Sequence, residues 1–132
     1  MRYSFSDLPT VYVRVTGLNG KKAELRAIVS TGATECMIST KDAVSLGYRF
    51  LHDLQLRSHI GMKSAVTAGY LVDMPPITLK EVALGDLSAT DVEALAYDVP
   101  DIAGIDVVLG ASFLRHFNLT FNFKDGSFEI GP

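Results

Sequence analysis

The stretch "ELRAIVSTGATECMIS", residues 24–39, decides how this chain is read. Its first half alternates: Leu25 and Ala27 face one way, Glu24 and Arg26 the other, the period of two expected of a half-buried strand. Ala27, Ile28 and Val29 are then apolar without interruption, as where a strand enters a core covered on both faces. The chain turns through Ser30-Thr31-Gly32-Ala33-Thr34 and leaves as a second short strand, Glu35 to Ser39. A buried strand running into a tight Gly turn puts one residue at the apex, and that residue is Ser30.

Upstream, Val11, Val13 and Val15 alternate with Tyr12, Arg14 and Thr16, and Asn19-Gly20 supplies a hairpin turn because both residues tolerate positive φ. Downstream, Ser39 with Asp42 three residues on is a helix-capping pattern, and Gly47 suits the left-handed position just past a helix end, so a small helix is expected over 39–48. Residues 54–73, with Gly61 and Gly69, read as a long hairpin, and 77–100 as two or three strands, with Val92, Ala94 and Ala96 alternating. "IDVVLG" (105–110) is a buried strand ending in Gly. "ASFLRHF" (111–117) is a one- to two-turn helix with Phe113, Leu114 and Phe117 inward. Leu119, Phe121 and Phe123 alternate into an Asp125-Gly126 turn, and Phe128 and Ile130 return inside. Many short strands with closely spaced turn signals indicate an all-β barrel or sandwich. Only the first eight residues read as disordered. "AIVSTGA" and "DVVLGAS" are both apolar runs meeting Gly-Ala, each followed by a short helix, which hints at two related half-domains.

At 132 residues, with 48 % hydrophobic and 20 % charged, the chain suits one domain, 1–132, with a modest core. Twelve basic against 15 acidic residues give a net charge of −3, with no basic cluster beyond Lys21-Lys22, which argues against a nucleic-acid partner. The single cysteine, Cys36, cannot form an internal disulfide and fits a reducing compartment such as the cytoplasm. The N-terminal "MRYSFSDLP" has no apolar signal-peptide core, and no apolar run is long enough to span a bilayer.

Two segments together resemble one family. "AIVSTGATECMIS" resembles the active-site segment of retropepsin-like aspartic proteases, where a buried strand delivers Asp-Thr-Gly-Ala and then Ser or Thr. "DVVLGASFLRHFNLTFNFKDGSFEI" resembles the second half of the same fold, where two apolar residues and a Gly precede a short helix and a final hairpin. The resemblance covers roughly residues 10–130. It implies a closed, barrel-like all-β fold with one or two short helices and a flap hairpin, and an aspartic endopeptidase acting on polypeptide as a homodimer, without cofactor or metal. Two carboxylates brought together across a two-fold axis cannot both ionise, so one acts as base on a shared water and the other as acid.

The resemblance assigns roles residue by residue. Ser30 stands at the position of the catalytic Asp, Thr31 matches the Thr that braces the partner's loop, and Gly32 lets the backbone approach the dyad. Ala33 packs beneath it, on the substrate side. Val108, Leu109 and Gly110 match the apolar pair and Gly that support the active-site loop. Gly61, Met62 and Lys63 are expected at the flap tip, over substrate.

Ser30 departs from the pattern. A hydroxyl does not ionise near neutral pH, so the shared-proton dyad is absent and the chain is expected to be inactive. Either an inactivated variant was built, which the intact surroundings favour, or this is a natural pseudoprotease serving as a peptide-binding or dimerisation module. Ser30 as a nucleophile is disfavoured, because "IVSTG" is not the Gly-x-Ser-x-Gly elbow and no motif sets His52, His59 or His116 beside it. His116 is expected to flank the short helix, His52 and His59 to lie on the surface, Cys36 to be a small core residue and Asp106 to make a turn contact. No His/Cys/Asp cluster has metal-ligand spacing, and the Phe-rich C-terminus reads as core or dimer interface.

Overall fold

A computed structural model of the chain describes residues 1–6, 8–48, 63–67, 70–74, 76–97 and 104–132. Six strands close into a barrel in the order β2 (Thr10–Thr16), β3 (Lys22–Val29), β9 (Val107–Leu109), β4 (Cys36–Ser39), β8 (Leu87–Tyr97) and β7 (Pro76–Leu84). The alternation seen in the sequence points inward as expected: Val11, Val13, Val15, Leu25, Ala27 and Val29 are buried while Tyr12, Arg14, Glu24 and Arg26 are exposed. The Asn19-Gly20 hairpin joins β2 to β3 in register, Val13 opposite Leu25, with Gly20 at φ 80°.

Alternation breaks where the sheet is covered on both faces. Cys36 and Ile38 of β4 belong to the main core, whereas Met37 between them packs with Ala33 and Leu95, with Val108 alongside, in a second, smaller cluster. That second cluster explains why Cys36-Met37-Ile38 and Ala94-Leu95-Ala96 are buried without a break. Ile28 of β3 is only half-buried, so coverage of that strand is less complete than its continuous apolar run suggests.

Helix α1 (Thr40–Ser45) begins at Ser39, whose Oγ accepts from the Asp42 N–H while the Ser39 hydroxyl donates to the Asp42 carboxylate. Ser39 therefore caps the helix as the sequence implies, but the Ser39 N–H goes to Asp106 O at 3.1 Å rather than to the Asp42 carboxylate, so the cap is not the reciprocal box. Gly47 follows with φ 96°, close against Asn19 of the β2–β3 turn. Helix α2 (Ala111–Leu114) is a single turn with Phe113 fully buried. His116 is exposed just past it, its ring centroid 6.2 Å from that of Phe117.

A second sheet orders β1 (Arg2–Ser4), β11 (Ser127–Gly131) and β10 (Asn118–Asn122). The first residues are therefore ordered, contrary to the sequence expectation. β1 pairs antiparallel with β11, the Met1 amino group donates to Ile130 O at 2.9 Å, Arg2 meets Asp125 at 3.1 Å, and Tyr3 stacks on Phe128. A strand of three residues is too short for its periodicity to register. Phe123 also departs from expectation: β10 ends at Asn122, and Phe123 lies 65 % exposed in the turn, against Phe5 and Phe121.

The remaining pair, β5 (Lys63–Thr67) and β6 (Tyr70–Met74), forms the expected hairpin. Its tip is not where the sequence reading put it. Lys63 pairs with Met74 at the open end and the ladder closes at Thr67 opposite Tyr70, while Gly61 and Met62 lie outside the described residues. Of the two glycines in the segment, Gly69 is the one that separates the strand-forming runs in the sequence.

Candidate active site

The apex at Ser30 is fixed by topology before any side chain is considered. β9 lies between β3, to which it runs parallel, and β4, to which it runs antiparallel. Since β3 and β4 are consecutive in the chain, the loop joining them, residues 30–35, must cross the end of β9. Val29 N–H donates to Pro9 O at 2.9 Å and Ser30 N–H to Leu109 O at 3.0 Å, so Ser30 starts from a hydrogen-bonded backbone on both sides of the barrel seam.

The rest of the loop hangs on α2. Ala111 N–H donates to Ala33 O at 2.9 Å and Ser112 N–H to Thr34 O at 3.0 Å; these are donors that a helix leaves unpaired in its first turn. The approach is close enough to demand glycine at 110, because a Cβ there would sit 2.3 Å from Glu35 O and 2.9 Å from Ala33 O. Ser112, buried, completes the suspension: its Oγ accepts from Cys36 N–H at 2.9 Å and donates to Glu93 O at 2.6 Å, tying loop, helix and β8 together. Beneath the loop, Ala33 packs on Met37 and Leu95, with Val108 partly buried beside them. Leu109 is fully buried in the main core.

On this base the loop presents Ser30 half-buried and Thr31 and Gly32 exposed. Among the described residues a Cβ added at Gly32 would find nothing nearer than Ser30 Oγ, at 3.9 Å, so none of them requires glycine there. Farther along, Thr34 Oγ1 donates to Glu35 Oε2 at 2.6 Å, and Glu35 is only 8 % exposed. Glu35 borders a cavity of about 280 Å³ whose other walls are Pro76–Thr78 and Glu93–Leu95 of the paired strands β7 and β8.

Ser30, Thr31, Gly32, Ala33, Val108, Leu109 and Gly110 thus come together at one end of the barrel seam. Lys63 belongs to the β5–β6 hairpin. Asp106 is a structural residue: its N–H donates to Arg26 O at 2.9 Å, its carbonyl accepts from Ser39 N–H at 3.1 Å, and its carboxylate accepts from Arg26 N–H. Cys36 is fully buried, and burial pushes its thiol pKa up. Among the described residues no group of three His, Cys, Asp or Glu is placed to hold a metal ion. The sequence reading missed Ser112 and Glu35. The available signals were a Ser directly after Gly110-Ala111 and a carboxylate set between the turn and an apolar strand.

A closed six-stranded barrel with a Gly-bearing loop slung across the end of β9 is the architecture expected of the retropepsin-like fold. A family model described as aspartyl protease matches residues 11–113, and the chain belongs to that family. The crystal structure of a retropepsin-like aspartic protease from Rickettsia conorii is similar in fold, with a TM-score of 0.53 and 22 % identity over 96 % of this chain and 94 % of that one. No curated protein matches.

Proposed function

We propose that this chain is one half of a homodimeric aspartic endopeptidase, with residue 30 at the catalytic position, and that Ser30 leaves it hydrolytically inert. The observation that carries the reading is the suspension of the 30–35 loop: Ser30 N–H on Leu109 O, and the Ala33 and Thr34 carbonyls on α2, hold the apex rigidly while Thr31 and Gly32 stay exposed. With a carboxyl at 30, two chains would bring two such groups about 3 Å apart across a two-fold axis. Like charges at that distance cannot both ionise, so one proton is shared; the ionised group takes a proton from water as it attacks the scissile carbonyl, and the other donates to the carbonyl oxygen. The pair, not either residue, is the catalyst.

In this reading each chain is one domain. Thr31 braces the partner's loop, Gly32 lets the backbone approach the dyad, and Ala33 floors the substrate groove. The peptide binds extended beneath the β5–β6 hairpin, adding as a strand. A serine hydroxyl supplies neither base nor acid near neutral pH. General acid–base catalysis contributes about 10²–10⁴-fold per group, and here both groups are missing. Among the described residues no helix is long and apolar enough to cross a membrane.

The test is Ser30→Asp. The variant should cleave an unfolded protein between about pH 4 and 7 at least about 10³-fold faster than the parent chain and be blocked by a statine-type transition-state mimic. A folded, dimeric Ser30→Asp variant without activity would instead favour a peptide-binding or dimerisation module.

A further inference from the structure

The three-stranded sheet β1-β11-β10 does not join the barrel, so its two outer strands are edges. An edge presents unpaired N–H and C=O groups to any strand able to pair with it, and natural sheets blunt such edges with short strands, charges, proline or bulges. β1 is blunted: it is three residues long and carries Arg2, which meets Asp125 at 3.1 Å. β10 is not. Its five residues, Asn118 to Asn122, include no charge and no proline, and they pair with β11 without a break.

The register fixes which backbone groups of β10 face outward. The Met1 amino group donates to Ile130 O and the Ile130 N–H to Met1 O, each at 2.9 Å, so both polar groups of Ile130 point to the β1 side. Bonded pairs alternate along an antiparallel ladder. Ser127, Glu129 and Gly131 therefore bond across to Asn122, Thr120 and Asn118. The N–H and C=O of Leu119 and Phe121 are left directed away from the sheet, with no partner among the described residues. Leu119 and Phe121 pack partly buried against the main core, Thr120 is exposed, and Phe123, 65 % exposed, stacks on Phe121 just past the strand.

Such an edge is complementary to itself. With a second β10 laid antiparallel and Thr120 opposite Thr120, Leu119 of each copy falls opposite Phe121 of the other. The outward N–H and C=O groups then bond on both sides of a two-fold axis, aliphatic meets aromatic, and hydroxyl meets hydroxyl on the axis, all favourable cross-strand pairs. No residue of β10 brings a charge against its own copy. Position agrees with this: α2 holds the Ala33 and Thr34 carbonyls at its first turn, and only residues 115–117 separate it from β10. A five-residue edge covers less than the roughly 800 Å² per partner of a stable interface, so it complements contact through the exposed Thr31 and Gly32 rather than replacing it.

We infer that the outer edge of β10 is an interaction surface for a second copy of this chain, the two β10 strands pairing antiparallel about Thr120 and joining two three-stranded sheets into one. The inference rests on the homodimeric reading above and names the surface through which the two halves meet.

The test is amide hydrogen exchange of the parent chain, followed by NMR at rising protein concentration, with sedimentation reporting the fraction paired. The N–H groups of Thr120 and Asn122 bond within each copy and should stay protected throughout. Those of Leu119 and Phe121 should exchange fast in the dilute chain and slow by about tenfold once about nine chains in ten are paired. Thr120→Lys adds the second arm: it sets two ammonium groups against each other on the axis, at a position exposed in the single chain. It should raise the dimer dissociation constant at least about tenfold at low salt, without lowering the urea midpoint of the dilute chain. Unchanged exchange at Leu119 and Phe121 in the paired chain, or a Thr120→Lys chain that pairs as tightly as the parent, overturns the inference and leaves the endopeptidase reading standing. A parent chain that stays monomeric at every concentration removes both.

Discussion

Replacing Gly110 by alanine probes the contact that positions the whole site. The new methyl would lie 2.3 Å from the Glu35 carbonyl oxygen, 2.7 Å from its carbon and 2.9 Å from the Ala33 oxygen. All three are backbone atoms, so no side chain can swing aside. Relief requires moving the loop off α2 and stretching the Ala111-to-Ala33 and Ser112-to-Thr34 hydrogen bonds. Overpacking costs about 1–3 kcal/mol and a weakened backbone bond about 1, so a loss of about 3 kcal/mol is expected. In a chain of this size that corresponds to roughly 10 °C in Tm. Gly32→Ala is the control within the same loop. Among the described residues its Cβ would meet only Ser30 Oγ at 3.9 Å, and its φ is outside the left-handed region, so its stability should be unchanged or raised by up to about 1 kcal/mol through the unfolded state. Urea midpoints of the dilute parent and both variants give the answer, with equal m-values as the condition for comparing them. An unchanged midpoint for Gly110→Ala, or an equal loss for Gly32→Ala, would refute the suspension of the loop by α2.

Other consequences follow from single contacts. Ser112→Ala leaves the buried Cys36 N–H and the Glu93 carbonyl without the hydroxyl that joins them, and should cost about 1–3 kcal/mol in urea unfolding. Ser39→Ala removes the cap of α1 and should cost about 1 kcal/mol, readable the same way. The Cys36 thiol, raised by burial above its ordinary value of 9.0, holds its proton more tightly folded than unfolded. Its contribution is therefore intact below pH 9 and lost as pH rises through the folded pKa. The Tyr48 and Tyr3 phenols, also raised chiefly by burial, act likewise from about pH 10. Cys36→Ala should flatten the fall of the urea midpoint between pH 9 and 10 relative to the parent, whatever it does to the midpoint at pH 7.

The parts of the fold that the sequence made legible are those whose signals are local. Val11 to Val15 and Leu25 to Val29 announce their buried faces by alternation, Asn19-Gly20 announces its turn, and Ser39 with Asp42 announces a cap. The parallel pairing of Ile28 with Val108 has no local signal, and Ser30 gains its place only because β9 runs beneath it. Lys63 was misplaced within its hairpin because register depends on which Gly turns, and Gly61 and Gly69 are equally permissive. Ser112 was passed over because a lone Ser after Gly-Ala is unremarkable until Cys36 and Glu93 are seen on either side. Phe123 kept the spacing of the strand past the point where the strand ended.

The central claim is that residue 30 of two chains makes one site. It is tested most directly by mixing parent chain and Ser30→Asp chain in varied proportion at constant total concentration, after letting subunits exchange, and measuring peptide cleavage. A dyad assembled across a two-fold axis makes activity follow the square of the Ser30→Asp fraction, so an equal mixture should retain about a quarter of full activity. Activity linear in that fraction, about a half in the equal mixture, would mean that each chain carries a complete site and would contradict the account.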